Sequence, residues 1–434
     1  MGDHTKDLLG CAISNTNLQG SVQISRVLSN LSQYCPTYAS TDAITLSNLW
    51  QIKQNPEGFY NNMCMENIVE ANKELQLLSP GSIVLETTSV DQGCNIASLH
   101  SLASKAKVNG VSLLFACSIV PSTVIESRST DYENKVLSKL REEVLAGRPI
   151  NSEAAADSTN TAQTYTKASA IVCNLGEPFQ PPKDSLTSNE LSALKACGRL
   201  HSELSKDVTF GKDKLPPLII SLPPFSLVHV ELLEILRAAG ADLSKVVFNQ
   251  VALSRESFDY YQQLLSAPYN CTLCVDTWGY CATFSSSLNN THQNSFLSDQ
   301  ELLDQVLTLV HAGCQNQLVL SLAVYCKIQL TAYGGYGYSH IENSIAPALT
   351  TQLSGSNCEA ISTNATAITR ALTGGNLWTL LNWRPAPPPV AVTIDYLTCH
   401  ICAKKFVPGN HFSKFGFEYC TTKCLGVHIS RDWK

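Results

Sequence analysis

Short apolar runs alternate with longer segments of helical period through most of the chain. The candidate strands are Cys11–Ser14, Ser82–Glu86, Ser112–Cys117, Ala170–Cys173, Leu218–Ser221, Val246–Phe248, Thr272–Asp276 and Gln317–Ser321. Two of the intervening helices read clearly. Leu232, Leu233, Ile235, Leu236 and Ala239 form one apolar face, and Gly240 supplies the stop. Ser298-Asp299-Gln300-Glu301 is a capping box ahead of Leu302, Leu303, Val306, Leu307 and Val310. Strands alternating with helices imply a parallel sheet. Eight of them in one body predict an α/β fold, a (β/α)8 TIM barrel, with a doubly wound open sheet as the second choice.

Two stretches interrupt this pattern. Gly147 to Thr166 is rich in Ser, Thr, Ala and Asn and reads as a surface loop. Arg384-Pro-Ala-Pro-Pro-Pro389 fits neither a helix nor a central strand. Three regions follow: a barrel over residues 1–383, a Pro-rich linker over 384–392 and a small zinc-binding module over 393–434.

Composition narrows the function classes. A hydrophobic fraction of 44% suits a globular protein, while a net charge of −6 and the lack of a Lys/Arg run argue against nucleic acid. Charge within the first seven residues leaves no apolar signal region, and no stretch of about 18 apolar residues is present to span a membrane. The 17 cysteines are an odd number, scattered mostly singly through apolar segments. That usage suits reduced, buried thiols and a cytoplasmic location.

Barrel enzymes work from the C-terminal ends of their strands. Here those ends read Ser14-Asn15-Thr16-Asn17, Cys173-Asn174-Leu175, Ile220-Ser221-Leu222, Phe248-Asn249-Gln250 and Leu320-Ser321-Leu322-Ala323. The rim is thus rich in neutral amides and hydroxyls, and none of the chain's ten histidines falls at a predicted strand end.

The segment Lys327-Ile-Gln-Leu-Thr-Ala-Tyr333-Gly-Gly-Tyr-Gly337-Tyr-Ser-His340-Ile341 follows the last strand. Glu86-Thr87-Thr88, Ala239-Gly-Ala-Asp242-Leu-Ser-Lys-Val-Val247 and Val275-Asp276-Thr-Trp-Gly279 occur in the same order as the strands. On these four blocks the body resembles the phosphotriesterase-related family of the amidohydrolase superfamily, across most of residues 8–383. The resemblance implies a site for two divalent metals. The ligand positions it maps onto this chain are Asn15, Asn17, Asn174, Ser221, Gln250 and Ala323, none of them an ordinary metal ligand. It therefore implies a barrel without metal and without the activated water a metal supplies.

Other residues carry weaker signals. Glu86, Glu177 and Asp276 lie near strand ends, where they could form a relocated acidic site or simply orient loops. His340 suits a structural bond to a backbone carbonyl better than acid–base work. Gly334-Gly-Tyr-Gly337 lacks the Lys-Ser/Thr and helix of a phosphate-binding loop. Cys11 and Cys173 have no predicted histidine neighbour and read as core. The amide-lined mouth could hold a small molecule without transforming it.

In the last segment Cys399-His-Ile-Cys402 is followed by Cys420-Thr-Thr-Lys-Cys424 and His428. A Cys-x2-Cys turn gathers two thiolates, and positions i and i+4 share one face of a helix. Together they predict a tetrahedral four-cysteine site for one structural Zn2+, with His428, or more weakly His411, as a replacement ligand. About 40 residues bury too little apolar surface to fold unaided. The leading functional expectation is a catalytically inactive barrel, a pseudoenzyme serving as a protein-binding or scaffold subunit of an intracellular assembly. The alternative is a metal-dependent hydrolase of ester, phosphoester or amide bonds with a rebuilt centre.

Overall fold

The computed structural model describes residues 5–6, 12–13, 20–31, 40–121, 129–149, 165–177, 180, 182–207, 215–251, 253, 258–279, 296–381, 397–402, 405–406, 412–414, 416–419 and 421–432. The chain divides into two compact units, Met1–Pro385 and Ala386–Lys434.

In the larger unit eight parallel strands form a nearly closed barrel. They are β1 Val22–Ser25, β2 Ile83–Glu86, β3 Ser112–Ile119, β4 Ala170–Asn174, β5 Leu218–Ser221, β6 Val246–Asn249, β7 Thr272–Val275 and β8 Leu318–Leu320. Each pairs in parallel with the next in sequence, so the eight are hydrogen-bonded in chain order. The helices that follow them in turn are α1 Ile68–Leu75, α2 Ile96–Val108, α3 Ser129–Arg141, α4 Ser188–Lys206, α5 His229–Ala238, α6 Phe258–Leu265, α7 Asp299–His311 and α8 Ala346–Ser354. The open sheet is thereby set aside.

Local chemistry sets these boundaries. Thr187 and Ser298 close capping boxes with Glu190 and Glu301 at the starts of α4 and α7. Just past the end of α5, Gly240 adopts φ +92°, as the stop signal requires.

The first strand departs from the sequence expectation. Ala12–Ile13 pairs antiparallel with Thr5–Lys6 in a separate two-stranded ribbon, and β1 begins ten residues later. Val22 and Ile24 alternate with Gln23 and Ser25, a short run preceded by Gly20. Both segments are brief and apolar, and periodicity alone does not rank two such runs.

Alternation along each strand sorts the side chains into two cores. Outward residues such as Val84, Phe115, Ile171, Ile220, Phe248 and Leu273 pack with the helices. Inward residues Val22, Ile24, Ile83, Leu85, Leu114, Ala116, Ala170, Val172, Ile219, Val247, Cys274 and Val319 fill the barrel. A short helix, α9 (Asn376–Leu381), adds Leu377, Trp378 and Leu381 to that inner core. Asn376 donates at 2.7 Å to the carbonyl of Leu318, at the start of β8, which marks this as the N-terminal end.

Between β8 and β1 the join is a side chain. The Ser321 hydroxyl accepts from Ile24 N at 2.8 Å and donates to Ile24 O at 3.0 Å, in place of a backbone ladder. At the other end Glu342 accepts from Ser21 N and Oγ, Ser82 Oγ and Ser79 N, at 3.0, 2.7, 2.5 and 2.8 Å.

Replacing Ser321 with Ala should leave the buried Ile24 amide without its partner and cost about 1–3 kcal/mol. A urea titration reads this directly, and an unchanged midpoint would show that the seam does not depend on this hydroxyl.

Candidate active site

Alternation continues past the apolar layers, and each strand's next inward position lies at the C-terminal mouth. That register gives Arg26, Thr87, Ser118, Asn174, Ser221, Asn249, Asp276 and Ser321, all buried. The uppermost layer of this barrel is therefore polar, above an interior that is mostly apolar.

Two charged groups dominate it. Arg26, at the end of β1, pairs with Glu177 at 2.6 Å, and both side chains are less than a tenth exposed. Glu177, three residues beyond β4, meets Arg26 through Oε2, while its Oε1 accepts both Asn174 Nδ2, at 2.8 Å, and Gln92 Nε2. The Tyr338 hydroxyl donates to the Arg26 carbonyl at 2.5 Å and fixes the backbone there.

Asp276 follows β7 and is 1% exposed. Its Oδ2 accepts Gln250 N at 2.9 Å, while Oδ1 has no hydrogen-bond partner among the described residues. Burial lifts its pKa to about 7, against the pull of that amide and of the Arg26 charge. Gln250 itself sits at φ +58°, a left-handed conformation uncommon outside glycine, and its side-chain oxygen is likewise buried and unpartnered. Arg26, Thr87, Asn249, Gln250, Asp276 and Ala323 all line one cavity of about 20 Å3, room for roughly one water.

Glu86 stands elsewhere. It accepts Val27 N at 2.5 Å, Leu28 N at 3.4 Å, and both the amide and hydroxyl of Thr88. Burial pushes its pKa up against those bonds, and the contacts make it an anchor for the loop after β1. His340 is buried and meets the Asp299 carboxylate at 2.6 Å, not the backbone carbonyl expected from sequence. Burial raises the Asp299 pKa, but the His340 and Gly279 bonds outweigh it and hold the carboxyl below its usual range. Cys173 is fully buried, and Cys11 lies outside the described residues.

Of the positions mapped as former metal ligands, Asn174 and Ser221 end β4 and β5, Gln250 follows β6, and Ala323 lies beyond β8. Asn15 and Asn17 lie outside the described residues. They follow the Ala12–Ile13 ribbon strand, so the end of barrel strand one is Ser25-Arg26-Val27 instead. Two amides, a hydroxyl and a methyl do not fit a pair of divalent cations, which need carboxylate or imidazole donors at about 2.0–2.2 Å. The Asn174 amide also faces Glu177 as a donor.

Sequence reasoning missed Arg26 and Gln92. Arg26 was hidden by the misplaced first strand, and the alternating Val22 and Ile24 just before it are the signal that could have revealed it.

The smaller unit brings three of the predicted thiols together. The ligand atoms of Cys399, Cys402 and Cys424 lie within 4.8 Å of one another, the one such cluster of metal-binding groups among the described residues. Cys399 follows the two-residue strand Leu397–Thr398, and Cys424 sits in the helix Thr422–Asp432. Cys420 and His411 lie outside the described residues. His428 is buried, and its Nδ1 meets the Tyr419 hydroxyl; it is not part of the cluster.

Comparison with known proteins places both units. Residues 207–363 match the phosphotriesterase family model, and residues 394–433 match the Vms1-associating treble clef domain. The chain is thus a TIM-type barrel with a phosphotriesterase-like region and a C-terminal treble clef carrying a cysteine cluster. It is similar to the N-acetyltaurine hydrolase of Xenopus tropicalis, 28% identical over 327 residues, covering 73% of this chain and 82% of that protein. The Homo sapiens N-acetyltaurine hydrolase is 25% identical over 319 residues, covering 73% and 81%. Among solved structures, a resiniferatoxin-binding protein from Rhodobacter sphaeroides superposes with a TM-score of 0.64 at 17% identity, over 87% of this chain and 95% of that one. At that identity the likeness shows the fold alone.

These relatives correct the functional expectation. The reading of an inactive scaffold, a pseudoenzyme and not an enzyme, is overturned by curated relatives that are named as hydrolases in several vertebrates. The expectation rested on ligand positions carried over from a resemblance, two of which, Asn15 and Asn17, lie outside the described residues, and it left the buried Arg26 and Asp276 at the mouth out of account. Among the described residues no helix is long and apolar enough to cross a membrane.

Because the folded state holds the Asp276 proton more tightly than the unfolded chain, folding is favoured while that group is protonated. The contribution is lost as pH rises from 3.8 through about 7. Asp276→Asn should therefore be more stable than the parent at neutral pH, with the difference vanishing towards pH 4. Denaturant midpoints for both proteins across that range measure it, and a difference that does not vary with pH would count against a buried titrating carboxyl.

Proposed function

We propose that the chain is a hydrolase of acyl bonds, acting on a small N-acyl amide or a related ester in the barrel mouth. The observation that carries this is Asp276, a buried carboxyl with pKa about 7 and an unpartnered oxygen, bordering a water-sized cavity. A base with that pKa is half ionised near neutrality, where proton transfer in both directions is efficient. The hydrolase names of the curated relatives support the class, and N-acetyltaurine is the first substrate to test.

Asp276 takes a proton from water as its oxygen bonds to the acyl carbon. When the carbon–nitrogen bond breaks, the same carboxyl returns the proton to the leaving nitrogen. The products are a carboxylic acid and an amine, and the base is restored. The described mouth leaves the substrate to enter from the C-terminal side, since α9 plugs the opposite end. In the smaller unit the three clustered thiols hold one structural zinc, with Cys420 as the fourth ligand. Buried barrel cysteines such as Cys117, Cys173, Cys197 and Cys274 form no disulfide, which suits a reducing cytoplasm.

With the purified full chain, amine release from N-acetyltaurine and from a panel of N-acyl amino acids and esters tests the reading. Activity should rise with pH to a plateau, with an apparent pKa near 7. Asp276→Asn should lower kcat by about 10²–10⁴-fold. Absence of turnover across the panel, or an Asp276→Asn protein that keeps its rate, would falsify the proposal.

Elemental analysis should find zinc at about one ion per chain, lost from a Cys402→Ser/Cys424→Ser variant while the barrel still unfolds cooperatively. Zinc retained by that variant would move the ion elsewhere.

A further inference from the structure

The geometry points to Arg26 as the catalytic residue that polarises the scissile carbonyl, standing at the mouth as a built-in cation where the resemblance implies metals. This rests on the hydrolase reading above. Its starting point is the mismatch already described, that neutral amides, a hydroxyl and a methyl do not suit divalent cations. A hydrolytic site still needs positive charge where the carbonyl oxygen becomes an oxyanion.

Arg26 supplies it from the chain itself. It directly follows β1, lies on the inward side by register, and lines the same cavity as Asp276. A guanidinium stays charged at any working pH and carries five N–H donors in a rigid fork. Glu177 accepts from Nη1 at 2.6 Å and is the guanidinium's one hydrogen-bond partner among the described residues. The remaining donors are left for another acceptor. A divalent ion brought to the same place would meet like charge in a low-dielectric mouth.

Glu177 is then a positioning residue. Its second oxygen is tied by Asn174 and Gln92, and the Arg26 carbonyl is tied by Tyr338, so the fork is fixed at both ends. Asn174, one of the positions mapped as a metal ligand, now serves the acid that aims the arginine.

The step balances without an added reactant. Water oxygen forms the new bond to the acyl carbon as Asp276 takes its proton. The carbonyl π pair moves onto oxygen and is held by Arg26. That pair returns to carbon as the carbon–nitrogen bond breaks, and the Asp276 proton passes to nitrogen.

Two readouts test the assignment on the full chain. The first is calorimetric binding of methylphosphonate, a tetrahedral anion resembling the oxyanion intermediate. The second is turnover with and without added guanidine hydrochloride at low millimolar concentration. Arg26→Ala should bind methylphosphonate at least about tenfold more weakly and lose about 10²–10³-fold in kcat with little change in KM. Guanidine should restore part of that rate, which it would not do for an arginine that only supports the fold.

Arg26→Ala strands a buried Glu177 and could unfold the barrel. The neutral pair Arg26→Met/Glu177→Gln removes both charges together and should show the same losses in a folded protein. Methylphosphonate that does not bind the parent, or binds it and the neutral pair alike, overturns the assignment. Arg26-dependent binding without turnover counts against the hydrolase and for the guanidinium site. Turnover with Arg26-independent binding counts the other way.

Discussion

Eight strands closing on themselves leave no choice about where alternate side chains go. Residues at every second position must enter a space only wide enough to be filled. In this barrel the lower layers are apolar, from Val22 and Ile83 through Val247 and Val319, with Trp378 closing the N-terminal end. The uppermost inward layer holds Arg26, Asn174, Asn249 and Asp276, all buried. A charged group placed there is taken out of water by the ring around it, and the chemistry of the mouth follows from that confinement.

Confinement treats the two charges differently. Arg26 and Glu177 meet in direct contact and are held by amides on one side and a tyrosine on the other. Paired and hydrogen-bonded, neither group is left as an uncompensated charge in the mouth. Asp276 has only backbone amide donors and no cation in contact among the described residues, so burial wins and its pKa rises to about 7. One layer of the fold thus contains a permanent cation and a carboxyl poised to exchange a proton, without any titrating histidine at a strand end.

The small unit obeys another constraint. Its described strands are two or three residues long and its one described helix spans Thr422–Asp432. Such pieces bury little surface on their own. The convergence of Cys399, Cys402 and Cys424 places the stabilising chemistry at a single point, which is how a treble clef of this length can hold a shape.

Seven of the eight barrel strands were legible within a few residues, as were the helix caps at Ser298 and Gly240. Those features are local: apolar runs, side-chain oxygens three residues before a glutamate, a glycine where φ must be positive. Three of the tail's cysteines, Cys399, Cys402 and Cys424, converge as their spacing led one to expect, while Cys420 lies outside the described residues. The choice between Cys11–Ser14 and Val22–Ser25 as the first strand was not local. Only pairing with Ile83–Glu86, together with the Ser321 hydroxyl at the seam, decided it. That one choice put Arg26 just past the end of the first barrel strand, the place the sequence reading had given to Asn15 and Asn17. Sequence by itself determined that this chain makes a parallel barrel with a cysteine module and an amide-rich rim. Tertiary structure alone decided that Arg26 meets Glu177 across 151 positions of chain and that Asp276 is buried in the same layer, because burial and charge pairing depend on what closes around a residue.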